Sequence, residues 1–205
     1  MKKTKAVGGL VIAVLAAQIM ISCGPHKLGL ADIGNGDSLK RAHANQGSIY
    51  SINVTLQNQD ARTIPWQSLS GKVQVMAMIF THCQASCPMI TNEIKDAEAL
   101  IPESMRDRVG FTLISFDSKR DTAARLKEHY TAMHLDSLWQ LLHGNPADIQ
   151  TIANLLDVKF KEVAEGNFSH SNVIVVVDEK GHIILREEGI EKHSAEIART
   201  AQFLL

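Results

Sequence analysis

Phe80-Thr81-His82-Cys83-Gln84-Ala85-Ser86-Cys87-Pro88 is the stretch around which this chain is organised. The apolar run at residues 73–80 leads into it and reads as a buried strand. A helical pattern starts at Pro88, where a proline is tolerated because its missing N–H would be unsatisfied anyway. Two thiols therefore stand where a strand ends and a helix begins. The free N–H groups and macrodipole of a helix N-terminus favour a thiolate at Cys87. Cys83 lies four residues earlier, close enough for both sulfurs to meet one ion or each other. Soft, ionisable sulfurs at the carboxyl edge of a strand suggest metal binding or thiol–disulfide exchange. A disulfide closing so short a loop would remove little chain entropy. A structural zinc site usually takes four ligands, often from two such pairs, and this chain has one pair.

Upstream, Lys2, Lys3 and Lys5 head an apolar run at residues 6–21. The run is short for a membrane span and has the form of a secretory signal. It ends in Met20-Ile21-Ser22-Cys23-Gly24, which resembles a bacterial lipobox, with Met20 in the place usually held by leucine. That resemblance implies a lipoprotein-type signal peptide at residues 1–22, lipidation of Cys23, export and a membrane anchor. With Cys23 so used, the other two of the three cysteines form a pair with no odd thiol. Residues 23–48, rich in Gly, Asn, Ser and His, read as a flexible tether reaching about 25–30 Å. His26 and His43 in it are solvated tether residues.

Residues 49–205 read as one domain. The 205-residue chain carries a formal net charge of −1, so there is no electrostatic case for nucleic acid. Residues 50–56 alternate in a strand-like period, and residues 62–66 are placed to pair back. Met76 and Met78 within the central run are core filler rather than ligands. Further buried strands are expected at 109–116 and 172–178, a short one at 137–142, and a returning hairpin strand at 182–186 after the turn at 179–181. Helical faces are carried by Ile90, Ile94, Ala97 and Ile101, by Leu126, Tyr130 and Met133, by Ile149, Ile152, Ala153 and Leu156, and by Ile197, Ala201 and Leu204. Asp121 or Thr122 caps the second of these, and Asn145-Pro146 starts the third. Strands alternating with helices, then a terminal hairpin and helix, indicate an α/β fold: a central mixed sheet flanked by helices on both faces. With a dithiol at a strand-to-helix junction, the order is thioredoxin-like.

Nine histidines compete for a role. His129, His134, His143, His182 and His193 have nothing nearby to mark them. His82 adjoins Cys83, but neighbouring side chains on an extended segment point apart. His170 sits in what reads as a polar loop, residues 167–171, directly before a buried strand. A parallel sheet is expected to bring that loop to the edge that carries Cys83.

The element 81–88, followed by Phe116-Asp117-Ser118-Lys119-Arg120-Asp121-Thr122 and by Phe168-Ser169-His170-Ser171, resembles the Sco/SenC family in order and spacing. The resemblance covers about residue 50 to the C-terminus. It implies a membrane-tethered, thioredoxin-like copper protein whose metal ligands are Cys83, Cys87 and His170. It also implies a role in assembling the dinuclear copper centre of cytochrome c oxidase, as copper donor, as reductant of the centre's cysteines, or both. Its partner would be the copper-bearing oxidase subunit or another copper protein. Asp117 matches the family's acidic residue near the metal, where it is expected to receive the second ring N–H of His170. Ser118 and Gln84 stand where the family usually has proline. Two thiolates suit Cu(I), and an added imidazole lets the site also hold Cu(II). The alternative is a thiol–disulfide oxidoreductase, with Cys83 and Cys87 as the redox-active dithiol, or a redox or copper sensor without obligatory metal. Against the reductase stand the CxxxC spacing and the absence of a proline before residue 173; a peroxidase would place its two thiols farther apart.

Overall fold

The computed structural model describes residues 47–83, 86–189 and 192–205. The signal peptide, Cys23 and nearly all of the expected tether lie outside the described residues, as does Gln84. Among the described residues no helix is long and apolar enough to cross a membrane.

A seven-stranded mixed sheet forms the frame, in the order β2-β1-β5-β4-β3-β8-β9. Its centre is β3 (Val73–Ile79), β4 (Val109–Ser115) and β5 (Trp139–His143), mutually parallel. These runs are nearly continuous in apolar residues because both faces are covered, and every residue of β3 is buried. On one side β8 (Val173–Val177) pairs antiparallel with β3, and β9 (Ile183–Glu188) with β8. On the other, β1 (Thr55–Asn58) pairs antiparallel with β5 and with β2 (Thr63–Pro65). Helix α1 (Ser86–Leu100) buries Ile90, Ile94 and Ala97 and packs against α5 (Ser194–Phe203), which buries Ile197, Ala198 and Ala201. Helix α3 (Ala123–Ala132) packs against β5 and β1, and α4 (Pro146–Leu155) buries Ile149, Ile152 and Ala153. This is the thioredoxin-like α/β fold expected from the pattern of elements.

Several boundaries differ from the sequence reading for local reasons. The strand expected from residue 50 begins only at Thr55. Ser48 accepts a bond from the Tyr50 N–H and starts a single 3-10 turn, Ile49–Ser51, whose Ile49 carbonyl then takes the buried Trp66 indole N–H at 2.8 Å. The Ser48 hydroxyl also donates to the Lys180 carbonyl, so the last residue of the expected tether is already part of the fold. The β5 strand starts two residues late because the Asp136 carboxylate accepts from the Leu138 N–H and holds a turn there. Pro102, expected simply to end α1, opens the short helix α2 (Glu103–Arg106). Thr122, not Asp121, caps α3, and Asn145 caps α4.

The largest difference is at residues 160–170. Phe168-Ser169-His170 is not a loop: β6 (Phe160–Ala164) and β7 (Asn167–His170) form a separate two-stranded antiparallel sheet. Polar residues concealed it because its outward positions, Lys161 and Ser169 among them, face solvent.

Ile94 is completely buried on the face of α1 that meets the sheet. Ile94→Ala is expected to lower unfolding free energy by about 2–5 kcal/mol. Urea titration of the metal-free domain measures this, and a change below 1 kcal/mol, by the same scale, would mean α1 is not seated as described.

Candidate metal centre

Two stretches distant in sequence converge at the C-terminal end of β3. Cys83 follows that strand, Cys87 is the second residue of α1, and His170 ends β7. One donor atom of each, two sulfurs and an imidazole nitrogen, all lie within 4.8 Å of one another. Antiparallel pairing, not the parallel pairing expected, brings His170 here. Ala77 of β3 faces Ile174 of β8, so the beginning of β8 stands beside the end of β3.

Cys83 is partly exposed, whereas Cys87 is fully buried at 0%. The Cys87 Sγ accepts from the Phe80 N–H at 3.5 Å, and Cys83 Sγ accepts from the Cys87 N–H at 3.5 Å. Helix position alone pointed to a thiolate at Cys87, and here burial overrides it. Desolvation, the largest cause, pushes the Cys87 thiol well above its ordinary range, and the adjacent Cys83 raises it further, against smaller lowering by hydrogen bonds. The Ser86 hydroxyl, which the sequence reading passed over, bridges the donors: it lies 3.6 Å from Cys83 Sγ and 3.3 Å from His170 Nε2. His170 Nδ1 is 3.2 Å from the Ser171 carbonyl.

Aromatic rings back the imidazole. Phe116 and Phe80 lie 5.1 and 5.9 Å from it, centroid to centroid, and Phe168 and Phe160 complete the cluster against Phe116. Phe80 and Phe116 directly follow the two buried strands β3 and β4, and Phe168 shares the face of β7 with His170, two residues on. That period of two was the available signal.

Asp117 does not bond His170, contrary to expectation. Its buried carboxylate (2% exposed) is held by Arg120, whose Nε donates to Oδ2 at 2.5 Å and whose backbone N–H donates to Oδ1 at 3.2 Å. Asp121, 1% exposed, accepts from the Thr81 N–H at 2.9 Å, the Thr81 hydroxyl at 2.5 Å and the Ser115 hydroxyl at 2.6 Å. Arg125 reaches the same threonine, Nε to Oγ1 at 2.9 Å. Asp121 therefore ties the loop carrying Cys83 to the end of β4. His82 turns to this network, its Nδ1 3.4 Å from Asp121 Oδ1, while Cys83 turns to His170. His82, Asp117 and Asp121 are also within cation-binding distance of one another, but both carboxylates already accept the bonds just described.

Four other histidines of the described residues have structural settings. His143 meets Gln57, His182 the Asp178 carboxylate and His193 the Glu187 carboxylate. His129 is buried on α3, and burial first, then the Arg125 charge, favours its neutral form.

The SCO1/SenC family profile matches residues 42–204 of the chain. The SCO1 protein homolog of Bacillus subtilis (strain 168) is 26% identical over 143 residues, 67% of this chain and 72% of that protein. A SCO1/SenC family lipoprotein from Bacillus anthracis str. Ames superposes with a TM-score of 0.68 at 26% identity, covering 75% of this chain and 93% of its own. Bradyrhizobium japonicum ScoI, whose structure was solved with copper bound, superposes with a TM-score of 0.64 at 25% identity, covering 74% and 96%.

Burial separates the two thiols in reactivity. In the reduced, metal-free protein, iodoacetamide at neutral pH should modify Cys83 first, and Cys87 should react only as pH rises well beyond the usual thiol range of about 8.5. Because the folded-state value is raised, Cys87 contributes stability that is full below that range and is lost progressively as pH rises from there through the raised folded-state value. Peptide mass mapping checks the order; equal rates at neutral pH would contradict it.

Proposed function

The chain belongs to the SCO1/SenC family, and from that premise we propose that it is a membrane-anchored copper carrier with Cys83, Cys87 and His170 as the ligands. Its cargo goes to the dinuclear copper centre of cytochrome c oxidase during assembly. The observation that carries the reading is the convergence of two sulfurs from residues 83–87 and one imidazole nitrogen from residue 170 within 4.8 Å. Sulfur–metal bonds of about 2.3 Å and imidazole–metal bonds of about 2.0 Å are compatible with donors so spaced after slight contraction. The donor set fits copper: two thiolates hold Cu(I), and the imidazole extends the site to Cu(II). The partly exposed Cys83 and His170 give an incoming or outgoing ion a route by ligand exchange, while buried Cys87 holds the inner position.

Binding must displace the Cys87 proton, which burial retains, so copper affinity should fall as pH falls. Lipidation of Cys23 would fix the domain to a membrane on the exported side. The supporting observation is the apolar run ending in Ser22-Cys23. Cys23→Ala should abolish lipid labelling in cells; labelling that persisted would remove the anchor from the proposal.

One feature favours a second reading. Adjacent sulfurs of unequal exposure on a thioredoxin-like frame also suit dithiol–disulfide exchange, with Cys83 attacking. His170→Ala separates the two. Copper carriage predicts a large loss of Cu(II) affinity and of the nitrogen signature in the electron paramagnetic resonance spectrum, with Cu(I) affected less. Reductase activity needs only the thiols and should persist in the same variant. Unchanged Cu(II) spectra, together with oxidase assembly surviving in cells, would give the reductase reading precedence.

A further inference from the structure

The residue proposed as the third copper ligand stands on an element outside the ladder of the main sheet. β6 and β7 pair only with each other, and a lone two-stranded hairpin is marginally stable. Its root is fastened by the Ser171 N–H on the Lys159 carbonyl and by Phe160 and Phe168 packed on Phe116. Aromatic packing is non-directional, so a directional contact is what fixes the tilt that aims the imidazole.

The strongest polar contact to the hairpin comes from Arg120. Its Nη2 donates to the Gly166 carbonyl, in the β6–β7 turn, at 2.5 Å. Its Nε is anchored on the buried Asp117 carboxylate, and the Asp117 N–H is anchored on Ser115 at the end of β4. One planar guanidinium thus joins the hairpin turn to the main sheet through a fixed fork, a geometry lysine cannot reproduce. Gly166 is shaped for it. The turn runs at φ +69°, and a Cβ there would lie 2.1 Å from Arg120 Nη1. The parallel contact from Lys119 to Glu162, at 3.0 Å, is a surface pair that holds little.

We propose that Arg120 is a positioning residue for His170: it clamps the β6–β7 hairpin to the Asp117 loop and so holds the imidazole against the dithiol. The inference rests on the copper-site reading for its consequence, but the clamp is testable without metal. The variants are Arg120→Ala and Gly166→Ala, the second displacing the guanidinium without removing its charge. Lys127→Ala, which breaks the remote Lys127–Asp60 pair, is the control.

In reduced, metal-free protein, compared where each variant is fully folded, both variants should accelerate hydrogen exchange of the amides at 160–170 and move the His170 imidazole NMR signals. The global urea midpoint falls as well, because Arg120→Ala leaves the buried Asp117 carboxylate without its guanidinium and Gly166→Ala holds an alanine at φ +69°. With Cu(II), both should lose about 10- to 100-fold in affinity and show a weakened nitrogen signature. Cu(I) binding should change far less. Native-like exchange and imidazole signals in Arg120→Ala would overturn the proposal. So would faster exchange with an unchanged Cu(II) spectrum, provided His170→Ala alters that spectrum. A fall in the global midpoint with an intact spectrum would show Arg120 to be merely structural and would overturn it too. If His170→Ala itself leaves the spectrum unchanged, the ligand assignment fails instead, and the metal-free signals alone decide whether Arg120 positions His170.

Discussion

The antiparallel pairing of β8 with β3 is the constraint on which the candidate site depends. In a parallel pair, the start of one strand lies beside the start of the other. Here Gln74 faces Val177 and Ala77 faces Ile174, so the chain enters β8 at the end where it leaves β3. The segment before β8 therefore meets the segment after β3. A one-residue slip in this register would exchange the side chains that β8 presents to its two faces, and all five of its residues are buried, so the packing on both sides opposes it. Hydrophobic burial thus fixes the register, and the register fixes which polar groups meet.

A second layer of order comes from two buried carboxylates. Asp121 fastens the cysteine-bearing loop to β4 through Thr81 and Ser115, and Asp117 orients an arginine. Buried carboxylates are costly unless their oxygens accept hydrogen bonds, and every oxygen here does. Charge and burial pull against each other at Cys87 as well. A helix N-terminus favours the anion, yet complete burial keeps the proton on the sulfur until something replaces it. The same burial that disarms the thiol toward bulk reagents means that, on the proposed reading, a metal would have to displace a firmly held proton.

Much of this was legible in the chain itself. Continuous apolar runs marked β3, β4 and β8, and 3.6-residue periodicity marked the helical faces, because those segments are decided by burial alone. Cys83, Cys87 and His170 were legible from residue chemistry and motif order. The roles of Ser86, Arg120 and Asp121 were not, since each acts through a contact between segments 40 or more residues apart in at least one case, such as Thr81 with Asp121. The hairpin was missed because a small sheet with one face in water and a polar turn carries little hydrophobic pattern. The expected Asp117–His170 bond does not form for a related reason: Arg120, three residues on, takes both Asp117 oxygens.

The separation of the β6–β7 sheet from the frame also divides the chain's evolutionary freedom. The dithiol is embedded in elements whose every change disturbs the core. The imidazole is carried on a two-stranded ribbon outside the main sheet, attached by short joints, by Phe160 and Phe168 against Phe116, and by the Arg120 guanidinium. Changes in that ribbon fall outside the seven-stranded sheet, so on the proposed reading its imidazole can be exchanged at less cost to the core than either sulfur. A move between the proposed metal carriage and thiol chemistry would then need changes in the ribbon, with the scaffold and its two sulfurs kept.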